Sequence, residues 1–204
     1  MIDDAEIHRI VERVVNQVMG TPEKAPTPVP TIPEAILQPS KAETPATGMA
    51  PKTAAKVVAI GSDHGGFDLK ENLKAYLTEL GYDVRDAGAY NKGAVDYPDF
   101  AHEVARLVST GKAWRGIMID GAGIGSCIVA NKVPGIRAGM AYDYSSAVNS
   151  REHNDTNVLT LGAGLIGVTL ARQIVKVWLS TEFGGGRHVP RIEKITAVEK
   201  QYLK

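Results

Sequence analysis

The chain has 204 residues, of which 44% are hydrophobic, so it can fill one core of ordinary domain size but not two large ones. Lys and Arg number 23 and Asp and Glu number 23, and a formal charge of zero offers no basic surface to nucleic acid or to an acidic membrane. The single cysteine, Cys127, excludes an internal disulfide framework, and no apolar run has the length of a membrane span or a secretory signal. These features predict a cytoplasmic protein.

The first twenty residues predict a short amphipathic helix. Between residues 2 and 19, apolar side chains recur at helical spacing, and polar side chains cover the opposite side. Asp3 and Glu6 have the spacing of a capping box, and Gly20 offers a C-terminal stop. The apolar stripe consists of Ile7, Ile10, Val11, Val14, Val15 and Val18.

Residues 21–56 predict a linker. They contain eight of the eleven prolines, among Thr, Ala, Glu and Lys. Such a segment buries too little apolar surface to offset the entropy of ordering it, so we expect a semi-extended tether.

Residues 57–204 predict an α/β domain, because short apolar runs alternate with amphipathic segments. We predict strands at 57–61, 82–86, 116–120, 137–141 and 158–161. We predict helices at 67–80, 98–110, 125–131, 144–152, 167–178 and 190–203. Five strands with crossover helices form a doubly wound parallel sheet with helices on both faces, which is a three-layer, Rossmann-like fold. In such folds, ligands bind beyond the carboxyl ends of the strands.

A glycine-rich stretch follows the third predicted strand, and we call residues 120–125 (DGAGIG) the glycine loop. Its glycines allow backbone N–H groups to approach an oxyanion or a phosphate. A tight strand-to-helix turn without a ligand is the alternative interpretation. A dinucleotide fingerprint is disfavoured, because the loop follows the third strand and no acidic residue ends a strand about 20 residues later.

Two histidines and two arginines could also serve a site. His64, which follows Asp63 after the first strand, and His153 could each bind a phosphate or move a proton, or could simply face solvent. Arg187 and Arg191 are four residues apart at a predicted helix start and could grip one phosphate, although an exposed face or an ion pair is commoner for such a pair.

Taken in order, these motifs are specific. The chain resembles the ribose-5-phosphate isomerase B family, which includes the two chains of galactose-6-phosphate isomerase, over residues 57 to about 203. The motifs that carry the resemblance are 61–67 (GSDHGGF), 69–70 (LK), 96–98 (DYP), 123–125 (GIG), 130–132 (ANK), 135–137 (GIR), 151–157 (REHNDTN) and 186–188 (GRH).

The resemblance implies a sugar-phosphate isomerase that works through an enediolate, without metal or nucleotide. It also implies a homodimer or a dimer of dimers, with each active site shared between two subunits. By position, it implies that His153 opens the sugar ring and that Asn154 orients a hydroxyl. The other positions that it implies are Asp63 and Tyr97 for hydroxyls, His64, Arg187 and Arg191 for the phosphate, and the amides of Gly121, Gly123 and Gly125 for the enediolate oxygen.

Four positions depart from the family pattern. Asp120 stands where the best-known members have a cysteine base, with Ala122 two positions later in place of a hydroxyl residue. Ser126 stands where other members have a glutamate, and Gly164 replaces an arginine that some members use on the phosphate. One chain of galactose-6-phosphate isomerase resembles this one in carrying aspartate at the cysteine position, and it works only with its partner chain.

Our hypothesis is that Asp120 is the base, since a carboxylate at a strand end can occupy the place of the thiolate. Cys127 is an alternative base, although a small buried residue inside a helix is its default interpretation. A non-catalytic or partner-dependent subunit is the competing hypothesis. Ribose 5-phosphate is the first choice of substrate, because 155–157 and the arginine pair keep the pentose-type pattern. A hexose 6-phosphate or a modified sugar is the alternative, which Ala122 and Gly164 motivate.

The N-terminal helix and its tether precede the family domain and resemble the encapsulation peptides that dock enzymes onto bacterial microcompartment shells. A helix this short gains stability by burying its apolar stripe on a partner. We therefore expect a location inside such a compartment. The alternatives are self-association as a small helix bundle and packing on the protein's own surface.

Overall fold

The computed structural model describes residues 56–202 and, near the N terminus, seven further residues: Asp3, Ala5, Glu6, His8, Arg9, Glu12 and Arg13. In that N-terminal group, the residues from Ala5 onwards are helical and exposed, and the Glu6 N–H donates to Asp3 Oδ1 at 2.7 Å. This bond confirms Asp3 as the cap of a helix. The apolar stripe, the stop at Gly20 and the linker up to residue 55 lie outside the described residues.

Five parallel strands form one sheet in the order β2-β1-β3-β5-β4, with registers that place β1, β3 and β5 at its centre. The strands are β1 (Val57–Ser62), β2 (Asp83–Asp86), β3 (Arg115–Asp120), β4 (Ala138–Met140) and β5 (Val158–Gly162). The three central strands are almost entirely buried, as their apolar sequences predict.

Helices cover both faces of the sheet, so the predicted three-layer α/β fold is confirmed. They are α1 (Phe67–Glu79), α2 (Tyr97–Ser109), α3 (Ile124–Ala130), α4 (Tyr144–Glu152), α5 (Val168–Ser180) and α6 (Val189–Tyr202), with a 3-10 turn at Gly186–His188 before α6. Helices α1, α4 and α5 pack on one face, where Leu73, Ile174 and Trp178 are fully buried. Helices α2 and α3 pack on the other face through residues such as Val104 and Ala130. Among the described residues, no helix is long and apolar enough to cross a membrane.

From residue 57 onwards, every predicted strand and helix is present, and the ends within the described residues differ from the predicted ones by at most two residues. The differences have local causes. Strand β3 begins one residue early, at Arg115, because that guanidinium is buried and donates to the carbonyls of Trp178 and Leu179 at 2.8 and 2.9 Å. Burial lowers the pKa of Arg115 to about 10. Those acceptors lie in the last turn of α5, which extends two residues past the predicted end at Trp178.

The loops at the carboxyl edge of the sheet are joined to one another. The Asp63 N–H donates to the carbonyl of Ile119 at 3.1 Å, which ties the loop after β1 to β3. The Ala163 N–H donates to the Asp120 carbonyl at 2.8 Å, and the Gly164 N–H donates to the Gly121 carbonyl at 3.0 Å. The central strands therefore hold the glycine loop from both sides.

Candidate active site

Asp120 is the last residue of β3, and its carboxylate organises the glycine loop. The side chain is buried, with 5% exposure, and it accepts four hydrogen bonds from the residues that follow it. Oδ1 accepts from the N–H groups of Ala122, at 2.8 Å, and of Gly123. Oδ2 accepts from the Ser126 N–H at 3.1 Å and from the Ser126 hydroxyl at 2.5 Å. A carboxylate has about four lone-pair sites, so this set of donors occupies all of them.

Two glycines make that geometry possible. Gly123 has φ of +80°, a left-handed conformation that turns its N–H back towards Asp120. Gly125 lies against the ring of Tyr97, since a Cβ added to Gly125 would be 2.5 Å from Tyr97 Cζ. The absence of a side chain at Gly125 therefore brings Tyr97, at the start of α2, over the glycine loop.

Asp63 and His64 lie in the loop beyond β1, the strand that neighbours β3. Asp63 is nearly buried and accepts from the Gly66 N–H at 2.8 Å, which fixes the turn. His64 is exposed, and its Nδ1 is 3.2 Å from the carbonyl oxygen of Val95 and 3.3 Å from the Val95 nitrogen. The backbone of Val95 thus holds the imidazole in either tautomer. We call Asp63, His64, Tyr97 and the glycine loop the carboxyl-edge cluster.

A second group of predicted site residues comes together elsewhere. The rings of His153 and His188 stack with 4.1 Å between centroids and 13° between planes, and Asn149 Nδ2 is 2.9 Å from His153 Nδ1. The Gly184 N–H donates to the Glu152 carbonyl at 2.9 Å, which brings the segment before α6 to the end of α4. We call His153, Asn154, Arg187, His188 and Arg191 the amino-edge cluster.

The two clusters lie at opposite edges of the sheet. Asp120 pairs with Gly162, the last residue of β5, whereas residues 153–157 lead into Val158, the first residue of that strand. The five residues of β5 span about 13 Å at a rise of about 3.3 Å per residue. The structure therefore places seven of the predicted site residues in the carboxyl-edge cluster and four in the amino-edge cluster, and it does not bring Asp120 and His153 together within one chain.

Comparison with known proteins identifies the family of this chain. The family model described as Ribose/Galactose Isomerase matches residues 58–195. The chain belongs to this family. Ribose-5-phosphate isomerase B of Escherichia coli is 46% identical over 146 residues, covering 72% of this chain and 98% of that protein. D-erythrulose-4-phosphate isomerase of Pectobacterium atrosepticum is 44% identical over 145 residues, covering 71% and 95%.

Solved structures of the Ribose/Galactose Isomerase family have the same fold. The ribose-5-phosphate isomerase B of Clostridium thermocellum superposes with a TM-score of 0.71 at 49% identity, covering 72% of this chain and 99% of that one. The type B ribose 5-phosphate isomerase of Trypanosoma brucei gives a TM-score of 0.70 at 44% identity, covering 71% and 99%.

Three contacts were not predicted from the sequence. The Tyr142 hydroxyl donates to the Ala122 carbonyl at 2.8 Å and so supports the glycine loop from the segment after β4. His188 stacks on His153, although its place in the GRH motif was the only signal for it. Ser126 is fully buried with its hydroxyl on Asp120, where the sequence had marked it only as a departure from the family.

Two other groups have roles inside the chain. The Asp155 carboxylate accepts hydrogen bonds from Arg137 and Arg151, each at 2.7 Å. The Asn157 side chain accepts from the Arg137 N–H and donates to the Gly135 carbonyl. Residues 155 and 157 thus secure the loop before β5.

Burial raises the pKa of the Cys127 thiol, so the protonated form, which is not a base, is favoured.

The amino-edge cluster predicts a pH dependence of stability. Burial lowers the pKa of His188, and the charges of His153, Arg187 and Arg191 lower it further. Because the unfolded chain then takes up a proton at higher pH than the folded chain, folding stability should fall as pH decreases through the ordinary histidine range near 6.5. We expect His188→Phe, which keeps a ring against His153, to weaken this dependence. Unfolding temperatures between about pH 7.5 and about pH 5.5 measure it.

The matched control is His102→Phe, which replaces an exposed histidine on α2. It should keep the wild-type dependence on pH. The explanation fails if His188→Phe loses stability on acidification as steeply as the wild type does.

Proposed function

We propose that this chain interconverts ribose 5-phosphate and ribulose 5-phosphate through an enediolate, with Asp120 as the base. Membership of the Ribose/Galactose Isomerase family makes it a sugar-phosphate isomerase of the ribose-5-phosphate isomerase B type. The observation that carries the proposal is the buried carboxylate at the end of β3, held by the glycine loop beside Asp63 and Tyr97.

The proposed chemistry needs one carboxylate oxygen. Asp120 Oδ2 takes the proton from C2 of the open-chain aldose, the C–H electrons form the C1–C2 double bond, and O1 becomes an oxyanion. The O2 hydroxyl proton passes to O1. Asp120 then returns its proton to C1 while the O2 electrons form the C2 carbonyl of the ketose. Among the described residues, the N–H groups of Ile124 and Gly125 have no hydrogen-bond partner, so they can donate to the anionic oxygen.

We propose that the amino-edge cluster of a second copy completes the site. Ribose 5-phosphate enters as a ring, and with the Asn149 amide donating to Nδ1, a neutral His153 carries its proton on Nε2, where it can reach the ring oxygen. Arg187 and Arg191 would hold the phosphate together with His64. Within one chain, these groups lie at the opposite edge of the sheet from Asp120.

Exposed apolar side chains support this assembly. Ile124 in the glycine loop and Ile128 one turn later in α3 are 52% and 57% exposed, and Leu165 in the adjoining loop is 60% exposed. On α6, Ile195 and Val198 are 48% and 58% exposed and border a groove of about 870 Å³. Apolar surface at both edges suits contact with another copy, which would make a homodimer or a dimer of dimers.

The shared site predicts complementation between two defective variants. Asp120→Asn and His153→Ala each spoil both sites of a homodimer, whereas a mixed dimer contains one site with both native groups. After subunit exchange, an equal mixture should recover roughly a quarter of wild-type turnover of ribose 5-phosphate, since half of the dimers are mixed. Each variant exchanged with itself is the control. A mixture no more active than its components would contradict a site shared between copies.

Two observations favour a second candidate substrate. A relative that is 44% identical bears the name D-erythrulose-4-phosphate isomerase, and Ala122 and Gly164 remove two polar groups from the family pattern. A hexose 6-phosphate or another sugar phosphate is therefore the second candidate.

A panel of pentose, tetrose and hexose phosphates tests the substrate and the base together. We expect ribose 5-phosphate to give the highest kcat/KM. Asp120→Asn keeps the shape of the side chain but has no carboxylate, and it should lower kcat by about 10³-fold or more. Higher kcat/KM on another sugar would change the assigned substrate, and full turnover by Asp120→Asn would remove Asp120 as the base.

One observation favours a second hypothesis, that the chain is a partner-dependent or non-catalytic subunit. The donors on Asp120 fill its lone pairs and occupy loop N–H groups that could otherwise face an enediolate. Under that alternative, the purified chain would turn over no sugar in the panel and would regain activity only with a cysteine-bearing paralogue.

For the N-terminal segment we propose docking to a bacterial microcompartment shell. The capped helix at Asp3 and the predicted Ile/Val stripe support it, since an amphipathic helix of this length gains order on a partner surface. A fluorescent protein fused to residues 1–20 should enter assembled compartments, and one with Val11→Asp and Val14→Asp in the stripe should not. Diffuse fluorescence of the unaltered fusion beside assembled shells would contradict the docking role.

A further inference from the structure

We propose that Ser126 is a positioning residue for Asp120, whose hydroxyl holds Oδ2 when the carboxylate is ionised and accepts a hydrogen bond from it when it carries the substrate proton. This inference rests on the proposed function of Asp120 as the base. It assigns a role to the position at which other members of the family have glutamate.

The geometry separates Ser126 from the other donors. Its side chain is fully buried, and its hydroxyl is 2.5 Å from Asp120 Oδ2, the shortest distance to that oxygen. Oδ1 receives two backbone N–H groups, whereas Oδ2 receives one backbone N–H and this hydroxyl. Oδ2 is therefore the oxygen with one replaceable partner.

A base in this reaction must be stable in two states. As an anion, Asp120 needs donors, and as a neutral acid it needs an acceptor for its own proton. A backbone N–H can only donate, so the three backbone contacts suit the anion alone. A serine hydroxyl both donates and accepts, and rotation about its C–O bond exchanges the two roles without moving heavy atoms. Ser126 is thus the group in contact with the carboxylate that can follow its change of state.

The surrounding titratable groups come from several elements. They are Asp63 from the loop after β1, Tyr97 from α2, Tyr142 from the segment after β4, and Cys127, the residue that follows Ser126 in α3. Of these, Asp63 is hydrogen-bonded within its own turn and Tyr142 to the Ala122 carbonyl. Ser126 carries no titratable group, so replacing it changes the hydrogen-bond donors of Asp120 and no charge.

The test compares Ser126→Ala with Ser126→Thr, which restores the hydroxyl. Ser62→Ala is the matched control, because it removes a fully buried serine hydroxyl that has no hydrogen-bond partner among the described residues. We expect Ser126→Ala to lower kcat for the best sugar phosphate by about 10- to 100-fold, with KM within about twofold. The acidic limb of kcat against pH should move to higher pH, because the charge-assisted bond that the hydroxyl donates to the anion is stronger than the bond that it accepts from the neutral acid.

Ser126→Thr should recover most of kcat and the wild-type pH limb, and Ser62→Ala should match the wild type. Wild-type kcat and pH limb in Ser126→Ala would overturn the proposal, as would a Ser126→Thr variant that unfolds at the wild-type temperature but is as slow as Ser126→Ala. If Ser126→Ala also loses stability, the pH limb decides, since a purely structural defect lowers kcat without moving it.

Failure of the underlying assignment would look different. If Asp120→Asn retains wild-type turnover, Asp120 is not the base, whatever Ser126→Ala does. If Asp120→Asn is inactive while Ser126→Ala is normal, only the role of Ser126 is wrong.

Discussion

The arrangement at the carboxyl edge depends on the carboxylate of Asp120 and the hydrogen-bond donors gathered around it. Oδ1 draws in the N–H groups of Ala122 and Gly123, and Oδ2 draws in Ser126 at the start of α3. The left-handed conformation of Gly123 and the close approach of Gly125 to Tyr97 follow from the same turn. This network places a carboxylate at the end of β3, where we propose a base, and it also fills the lone pairs of that carboxylate with donors from its own loop. The proposed role of Ser126 reconciles the two, because one of the four donors can change direction when a proton arrives.

The second constraint is the direction of the strands. In a parallel sheet with crossover helices, each helix returns the chain to the amino edge, so His153 after α4 lies away from Asp120 by construction. Arg187 and His188 lie beside His153, because α5 likewise returns the chain to the amino edge of the sheet. In the proposed assembly, the amino-edge cluster of one copy faces the carboxyl-edge cluster of another. The exposed apolar residues beside each set agree with that interpretation.

Much of the fold follows from local patterns in the sequence. The apolar runs of β1, β3 and β5 and the glycine punctuation after them specify the doubly wound sheet, and the helices appear where amphipathic periodicity places them. The ends of the strands and helices are harder to predict. Arg115 belongs to β3 because it donates to carbonyls of α5 that are more than sixty residues away in sequence. Tertiary contacts of this kind leave no local signal.

The candidate site was predictable in its list of residues and not in its grouping. Motif order identified Asp63, Asp120 and His153, but only the topology shows that they divide between two edges. The contact of Ser126 with Asp120 depends on the turn at Gly123, which a sequence pattern does not specify at the level of a hydroxyl. The stacking of His188 on His153 likewise needs the approach of residue 184 to the end of α4.

The most direct test of the central claim measures whether the carbon-bound hydrogen of the substrate exchanges with solvent. The reaction is run in deuterium oxide and the exchange is monitored by NMR. Through an enediolate with Asp120 as the base, the wild-type chain should place solvent deuterium at C1 of ribulose 5-phosphate. Asp120→Asn should still bind the sugar phosphate but leave that hydrogen in place. Deuterium incorporation by Asp120→Asn at the wild-type rate would contradict the account, because another group would then be moving the proton.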